Sequence, residues 1–96
     1  MRTLILMLPL IAAACASSTA TGPLGRHEVV AVEADDLLKL RAGPGTGYDV
    51  IIGLPNGAVV DVLTCEPAGS TQWCEVRLDQ PGGPRGHVSK AYLRKL

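Results

Sequence analysis

The glycine-rich segment 43–47 is the first candidate for chemistry, because closely spaced glycines can hold a phosphate with their backbone N–H groups. A phosphate-binding loop also needs a helix that begins at the glycines, and one class needs a lysine directly after them. Here Tyr48 follows the last glycine, and no helical periodicity comes after it. The segment is therefore predicted to be a turn, in which Pro44 fixes φ and the preceding Arg41 donates hydrogen bonds to turn carbonyls.

Serine, histidine and cysteine residues offer the next candidates, and none has the spacing of a catalytic or metal site. Ser89 lies two residues after His87, which on a strand puts both side chains on one face without an orienting acid. Cys65 and Cys74 have eight residues between them, and together with His27 and His87 they match no usual zinc spacing. We therefore predict no enzyme activity, no cofactor and no metal.

The N-terminal residues have the layout of a secretory signal peptide. Arg2 supplies a positive charge, and residues 3–14 are mostly apolar but too few to span a bilayer as a helix. Three alanines then precede Cys15, an arrangement that resembles the lipobox of bacterial lipoproteins, in which the cysteine carries lipid. Ordinary signal-peptide cleavage after Ala14 is the alternative. The resemblance predicts a signal peptide over residues 1–14 and lipidation at Cys15.

Export as a lipoprotein would determine the compartment of the rest of the chain, and with it the state of the remaining cysteines. Ala16, and not aspartate, follows the cysteine, which favours the periplasm and the outer membrane of a Gram-negative cell envelope. Residues 15–25 lack periodicity and predict a flexible tether before a domain over 26–96. In that oxidising compartment Cys65 and Cys74 are expected to pair, and closing this loop stabilises the fold by about 2.7 kcal/mol.

The charge balance excludes some partners. The chain has nine basic and nine acidic residues, and without Arg2 the count is eight to nine. No basic stripe predicts a nucleic-acid partner, and no charge run predicts binding to a membrane surface. Contact with a membrane is therefore expected only through the lipid anchor.

From Arg26 onward the pattern is β throughout. Short runs of β-branched and apolar residues alternate with turn clusters, and no long amphipathic helix is indicated. This predicts an all-β fold, a small barrel of about five to seven strands with one hairpin cross-linked by the disulfide. The predicted strands cover 27–32, 38–41, 48–54, 58–65, 72–78 and 86–88, followed by a 3₁₀ turn and a last strand within 89–93.

Four motifs give the predicted barrel a family resemblance. The first, Leu38-x-Leu40-Arg41-Ala42-Gly43-Pro44-Gly45, resembles the L-N-[VL]-R-[SA]-G-P-[GS] hallmark of bacterial SH3 (SH3b) domains. The other three are Gly57 before Val60-x-Val62, Trp73-x-x-Val76, and Gly86-x-Val88-x-x-x-Tyr92-Leu93. Three departures from the family pattern are Lys39 for asparagine, His87 for tryptophan, and one extra residue at Ile51–Ile52.

The resemblance implies a non-catalytic binding module that contacts peptidoglycan, a peptide or an extracytoplasmic protein. The alternative is a small inhibitor or structural accessory of a wall-degrading enzyme, which would present loop 79–84. Trp73 is expected on the Glu75 and Arg77 side of its strand, with Val60, Val62 and Val76 in the core. It is either a partly exposed contact residue or a structural lid over the hairpin. The candidate ligand-binding residues are Arg41, Tyr48, Trp73 and Tyr92.

Overall fold

The structure is a computed structural model that describes residues 22–96. The predicted signal peptide, Cys15 and most of the tether lie outside the described residues. The described part contains no helix with the length and hydropathy of a membrane span. Its seven strands and one 3₁₀ helix are β1 (Gly25–Val29), β2 (Leu38–Arg41), β3 (Val50–Leu54), β4 (Val59–Ala68), β5 (Thr71–Leu78), β6 (Arg85–Ser89), the helix (Lys90–Tyr92) and β7 (Leu93–Lys95).

All seven strands join one antiparallel sheet in the order β3-β2-β6-β5-β4-β1-β7. One face of this sheet supplies a single core to which β1 through β6 all contribute. A sheet can bring so many strands around one core only by curling on itself, as a small barrel does. The all-β prediction is confirmed. The fully buried aliphatic residues are Val29, Leu40, Leu54, Val60, Val62, Val76 and Val88.

The β4–β5 hairpin carries the disulfide. Cys65 and Cys74 are opposite each other in the register, and their sulfur atoms are bonded at 2.01 Å. Cys74 is fully buried on the same face as Val76, as predicted. The connection between the strands predicted over 58–65 and 72–78 is shorter in the structure, because β4 continues through Ala68 and leaves only Gly69 and Ser70 to reverse the chain.

Strand β3 lies at the edge of the sheet and contains an irregularity. Leu40 of β2 is opposite Ile52, but the next residue, Arg41, is opposite Val50, so that Ile51 has no partner. The extra residue expected at Ile51–Ile52 is thus a β-bulge, which inserts one residue without shifting the rest of the register. Val50, Ile51 and Ile52 are all exposed.

The two ends of β1 differ from the prediction. The strand begins at Gly25, and just before it the Leu24 N–H donates a 3.0 Å hydrogen bond to the Val62 carbonyl. It ends at Val29, three residues earlier than predicted, and Ala31 then takes the left-handed conformation with φ of 64°. A non-glycine residue at positive φ cannot continue a strand, so a loop begins here.

Candidate functional site

A cleft of about 390 Å³ lies between the loop that follows β1 and the 3₁₀ helix. The loop supplies residues 31–33 and 36–37 to one side, and β2 continues that wall. The start of β5 contributes Thr71 and Trp73, and Ser89 and Tyr92 close the other side. A concave site of this size is within the range that small ligands and peptide segments occupy.

The loop is held in place by Asn56, in the turn between β3 and β4. The Asn56 amide accepts a hydrogen bond from the Val32 N–H at 3.0 Å and donates one to the Val32 carbonyl at 2.9 Å. The side chain therefore pairs with both backbone groups of one residue, as a neighbouring strand would. This fixes the position of the cleft wall formed by Ala31, Val32 and Glu33.

Trp73 forms the floor of the cleft. The side chain alternates with Cys74 and lies on the Glu75 side of β5, as expected, and its exposure of only 7% fits the structural lid better than the partly exposed contact residue. Strand alternation gives the face of a side chain but not what covers that face, and here the cleft walls stand around the indole. The indole N–H donates a 3.1 Å hydrogen bond to the Thr71 hydroxyl, so the polar edge of the ring is satisfied.

Tyr92 and Arg41 also line the cleft, with different roles. Tyr92 remains 37% exposed on the 3₁₀ helix, where a bound ligand can reach it. Arg41 Nη1 donates to the carbonyls of Thr46 and Tyr48 at 3.1 and 3.0 Å, which confirms the predicted contact with the glycine-rich turn. The guanidinium therefore holds this turn against the end of the cleft where Thr46 lies.

Tyr48 is the one candidate that the structure does not bring to the cleft. It is 51% exposed, and its ring lies over Gly43, where a Cβ atom would overlap it. The glycine is required at this position by the close approach of the ring. The segment is a turn, as predicted, and Tyr48 covers it.

Charged groups of both signs line the cleft. Glu33 and Asp36 lie on the loop, and Lys39 and Arg41 follow on β2. Asp36 accepts a 2.8 Å hydrogen bond from the Leu37 N–H and one of 3.0 Å from the Lys39 ammonium. The backbone hydrogen bond first, and then Lys39, lower the pKa of Asp36 below its ordinary value. Sequence reasoning missed the loop residues, because no spacing in the sequence links them to Trp73 or Tyr92.

Other candidates lie away from the cleft. His87 is opposite both Arg41 and Glu75 in the sheet, and its Nδ1 is buried without a hydrogen-bond partner among the described residues. Loop 79–84 is a compact turn closed by a 2.9 Å hydrogen bond from the Gly83 N–H to the Gln80 carbonyl, and its role in an inhibitor stays a prediction. Within residues 22–96 no three potential metal ligands cluster.

Comparison with known families now bears on this geometry. The family model of the bacterial SH3 domain matches residues 36–94. The chain belongs to this family. No curated protein and no solved structure matches the chain. The SH3 match covers β2 through β6, the 3₁₀ helix and most of the cleft, so the resemblance found in the four sequence motifs is confirmed. Bacterial SH3 domains are typically non-catalytic binding modules.

Proposed function

We propose that this bacterial SH3 domain binds a peptide segment of the cell wall in the cleft between the loop and the 3₁₀ helix, without catalysis. The observation that carries the proposal is the floor and wall formed by Trp73 and Tyr92, between ionised groups of both signs. Aromatic rings bind flat or aliphatic groups over a large area at low cost in side-chain entropy.

The chemistry of peptidoglycan stem peptides fits these surroundings. Such peptides are short, and they carry free amines and carboxylates along a chain of small side chains. Glu33 can receive an amine, and the Lys39 ammonium can receive a carboxylate in exchange for Asp36. A nucleic acid would meet Glu33 and Asp36 on the cleft wall, which repel phosphates.

We further propose that the protein acts in the cell envelope, held there through lipid on Cys15. The support is the lipobox-like sequence before Cys15 and the disulfide between Cys65 and Cys74, which is typical of exported proteins. Fractionation of cells that express Cys15→Ser tests the anchor. After a high-salt wash of the membranes, which removes electrostatically bound protein, the variant is expected in the soluble envelope fraction, and a variant that resists the wash contradicts lipidation.

Binding is tested by cosedimentation of residues 16–96 with purified peptidoglycan. This chain contains all seven strands, the core and the disulfide. Tyr92→Ala is the decisive variant, because Tyr92 is exposed and its loss spares the core, whereas replacing buried Trp73 with alanine would also destabilise the domain. Loss of this aromatic contact from the cleft wall is expected to cost about 1.4 kcal/mol or more, so affinity is expected to fall at least about tenfold.

The matched control is Tyr48→Ala, which removes a more exposed tyrosine outside the cleft. Its affinity for peptidoglycan is expected to equal that of the wild type. If both tyrosine variants bind like the wild type, the cleft is not the site. If the wild type itself does not cosediment, the wall is not the ligand.

A further inference from the structure

A second pocket, of about 500 Å³, lies on the other side of the 3₁₀ helix from the cleft. Its apolar surface is formed by Leu24, Val62 and Leu93 together with the Cys65–Cys74 disulfide. Val62 and Cys74 are fully buried core residues, whereas Leu24 at the rim is 45% exposed. Core residues therefore close the base of the pocket, and Leu24 is the apolar group that it offers at the surface.

The rim of this pocket is cationic. Lys90 and Lys95 line it together with His27, and no acidic side chain does so. His27 and Lys95 are opposite each other in the pairing of β1 with β7, which places both at the same end of the barrel. We call this feature the lysine pocket, defined by Lys90, Lys95, Leu24 and Leu93.

The charges of the two lysines are not neutralised within the described chain. The Lys95 ammonium donates a 3.2 Å hydrogen bond to the Leu24 carbonyl, and among residues 22–96 neither Lys95 nor Lys90 forms an ion pair. Residues 1–21 contain no aspartate or glutamate that could pair with them. The neighbouring Arg94, in contrast, is paired with Glu28.

The lysine pocket also lies where the N-terminal segment joins the domain. Leu24, at its rim, is only two residues from the start of the described chain, and the Leu24 N–H bonds to the Val62 carbonyl beside the pocket. Cys15, the proposed site of the lipid anchor, lies nine residues upstream of Leu24. An anchor at Cys15 keeps this end of the barrel near the membrane, a step that depends on the proposed anchor.

From the apolar interior and the unpaired cationic rim, we propose that the lysine pocket binds the surface of a membrane that contains anionic phospholipid. The ammonium groups contact lipid phosphates, and Leu24 inserts among the acyl chains near the headgroups. The sequence alone predicted membrane contact only through the lipid anchor, because these lysines form no continuous run and come together with His27 only in the fold.

The test is flotation of residues 16–96, which carry no signal peptide and no Cys15, with vesicles. Binding is expected to vesicles of mixed phosphatidylglycerol and phosphatidylcholine, and not to phosphatidylcholine alone. A lysine near an anionic surface contributes about 1 kcal/mol, so Lys90→Gln with Lys95→Gln is expected to weaken binding about 25-fold. Leu24→Ser is expected to weaken it as well.

The matched control is Arg26→Gln with Arg85→Gln, which removes the same net charge from ion-paired residues outside the pocket. This control is expected to bind vesicles nearly as the wild type does. Equal loss in both double variants, or equal binding to neutral vesicles, overturns the proposal.

Two further experiments distinguish a lipid ligand from free phosphate and from peptidoglycan. Inorganic phosphate is added to the protein without vesicles and followed by NMR, and saturable shifts at Lys90 and Lys95 would show that the pocket is a site for free phosphate and not for a lipid surface. The Lys90→Gln, Lys95→Gln protein is also tested on peptidoglycan, where unchanged binding is expected. A failed vesicle assay thus leaves the cleft proposal standing, and a failed peptidoglycan assay leaves this one.

Discussion

At the scale of single residues, Trp73 and Cys74 show what strand alternation can predict. They are neighbours on β5, their side chains leave the strand on opposite faces, and both are buried. Cys74 is buried because its face forms the core. Trp73 is buried because the cleft walls surround it, and those walls include loop residues whose position depends on Asn56. The sequence therefore predicts on which face of the strand each side chain lies, but not which residues cover that face.

Asp36 leads to a prediction on pH. Since the Leu37 N–H and then the Lys39 ammonium lower its pKa, we expect a midpoint below 3.8 in an NMR titration of the Asp36 carboxyl carbon. The folded-state pKa is below the unfolded one, so the ionised group stabilises the fold above the unfolded pKa. This contribution is lost as the pH falls through the lowered pKa.

Lys39→Gln separates the two causes of this shift. The variant is expected to raise the midpoint but to leave it below 3.8, because the backbone hydrogen bond is the larger cause. Lys90→Gln, which removes a lysine that does not line the cleft, is expected to leave the midpoint unchanged. A wild-type midpoint at or above 3.8 would show that the Asp36 contacts do not persist in solution.

At the scale of secondary-structure elements, β3 shows how the fold absorbs an extra residue. The bulge at Ile51 keeps Leu40 opposite Ile52 and Leu38 opposite Leu54, so Leu54 stays in the core. Bulges also make an edge strand a poorer template for pairing with another chain. This matters here because Val50, Ile51 and Ile52 together form an apolar exposed edge.

Deletion of Ile51 tests this account of β3. Because the residue has no partner in β2 and is exposed, its removal is expected to give regular pairing with the free energy of unfolding changed by less than about 1 kcal/mol. Denaturant unfolding followed by Trp73 fluorescence measures the change.

Deletion of Gly53 is the matched control, since it shortens the same strand by one residue. It forces a side chain into the position where a Cβ atom would overlap Leu37, and we expect a loss of about 1–3 kcal/mol. Equal losses in the two deletions would show that the bulge is not the point at which β3 tolerates an insertion.

At the scale of the whole molecule, the sequence is sufficient to predict the strands and the family, but not the cleft and the lysine pocket. Alternation at Leu38 and Leu40 and the turn clusters predicted the all-β fold, because local patterns decide which side chains can share a face. The cleft and the lysine pocket each combine residues from opposite ends of the described chain, such as Ala31 with Tyr92, and only the strand order brings these together.

The N-terminal limit of the domain gives a whole-molecule prediction. A chain that begins at Gly22 is expected to melt at the same temperature as residues 16–96. A chain that begins at Arg26 loses the hydrogen bonds of Leu24 with Val62 and with Lys95. The expected loss of about 1 kcal/mol lowers Tm by about 4–8 °C in a domain of this size. Equal melting temperatures, measured by circular dichroism, would show that residues 22–25 add nothing to stability.

The short 3₁₀ helix lies where it could couple ligand binding in the cleft to ligand binding in the lysine pocket. Its three residues separate the cleft from the lysine pocket, with Tyr92 lining the first and Lys90 the second. A ligand that displaces this helix from one side changes the affinity on the other side, and the effect is equal in both directions because binding free energies are reciprocal. Under the two proposals, the affinity for peptidoglycan would then differ between the membrane-bound protein and the same protein free in solution.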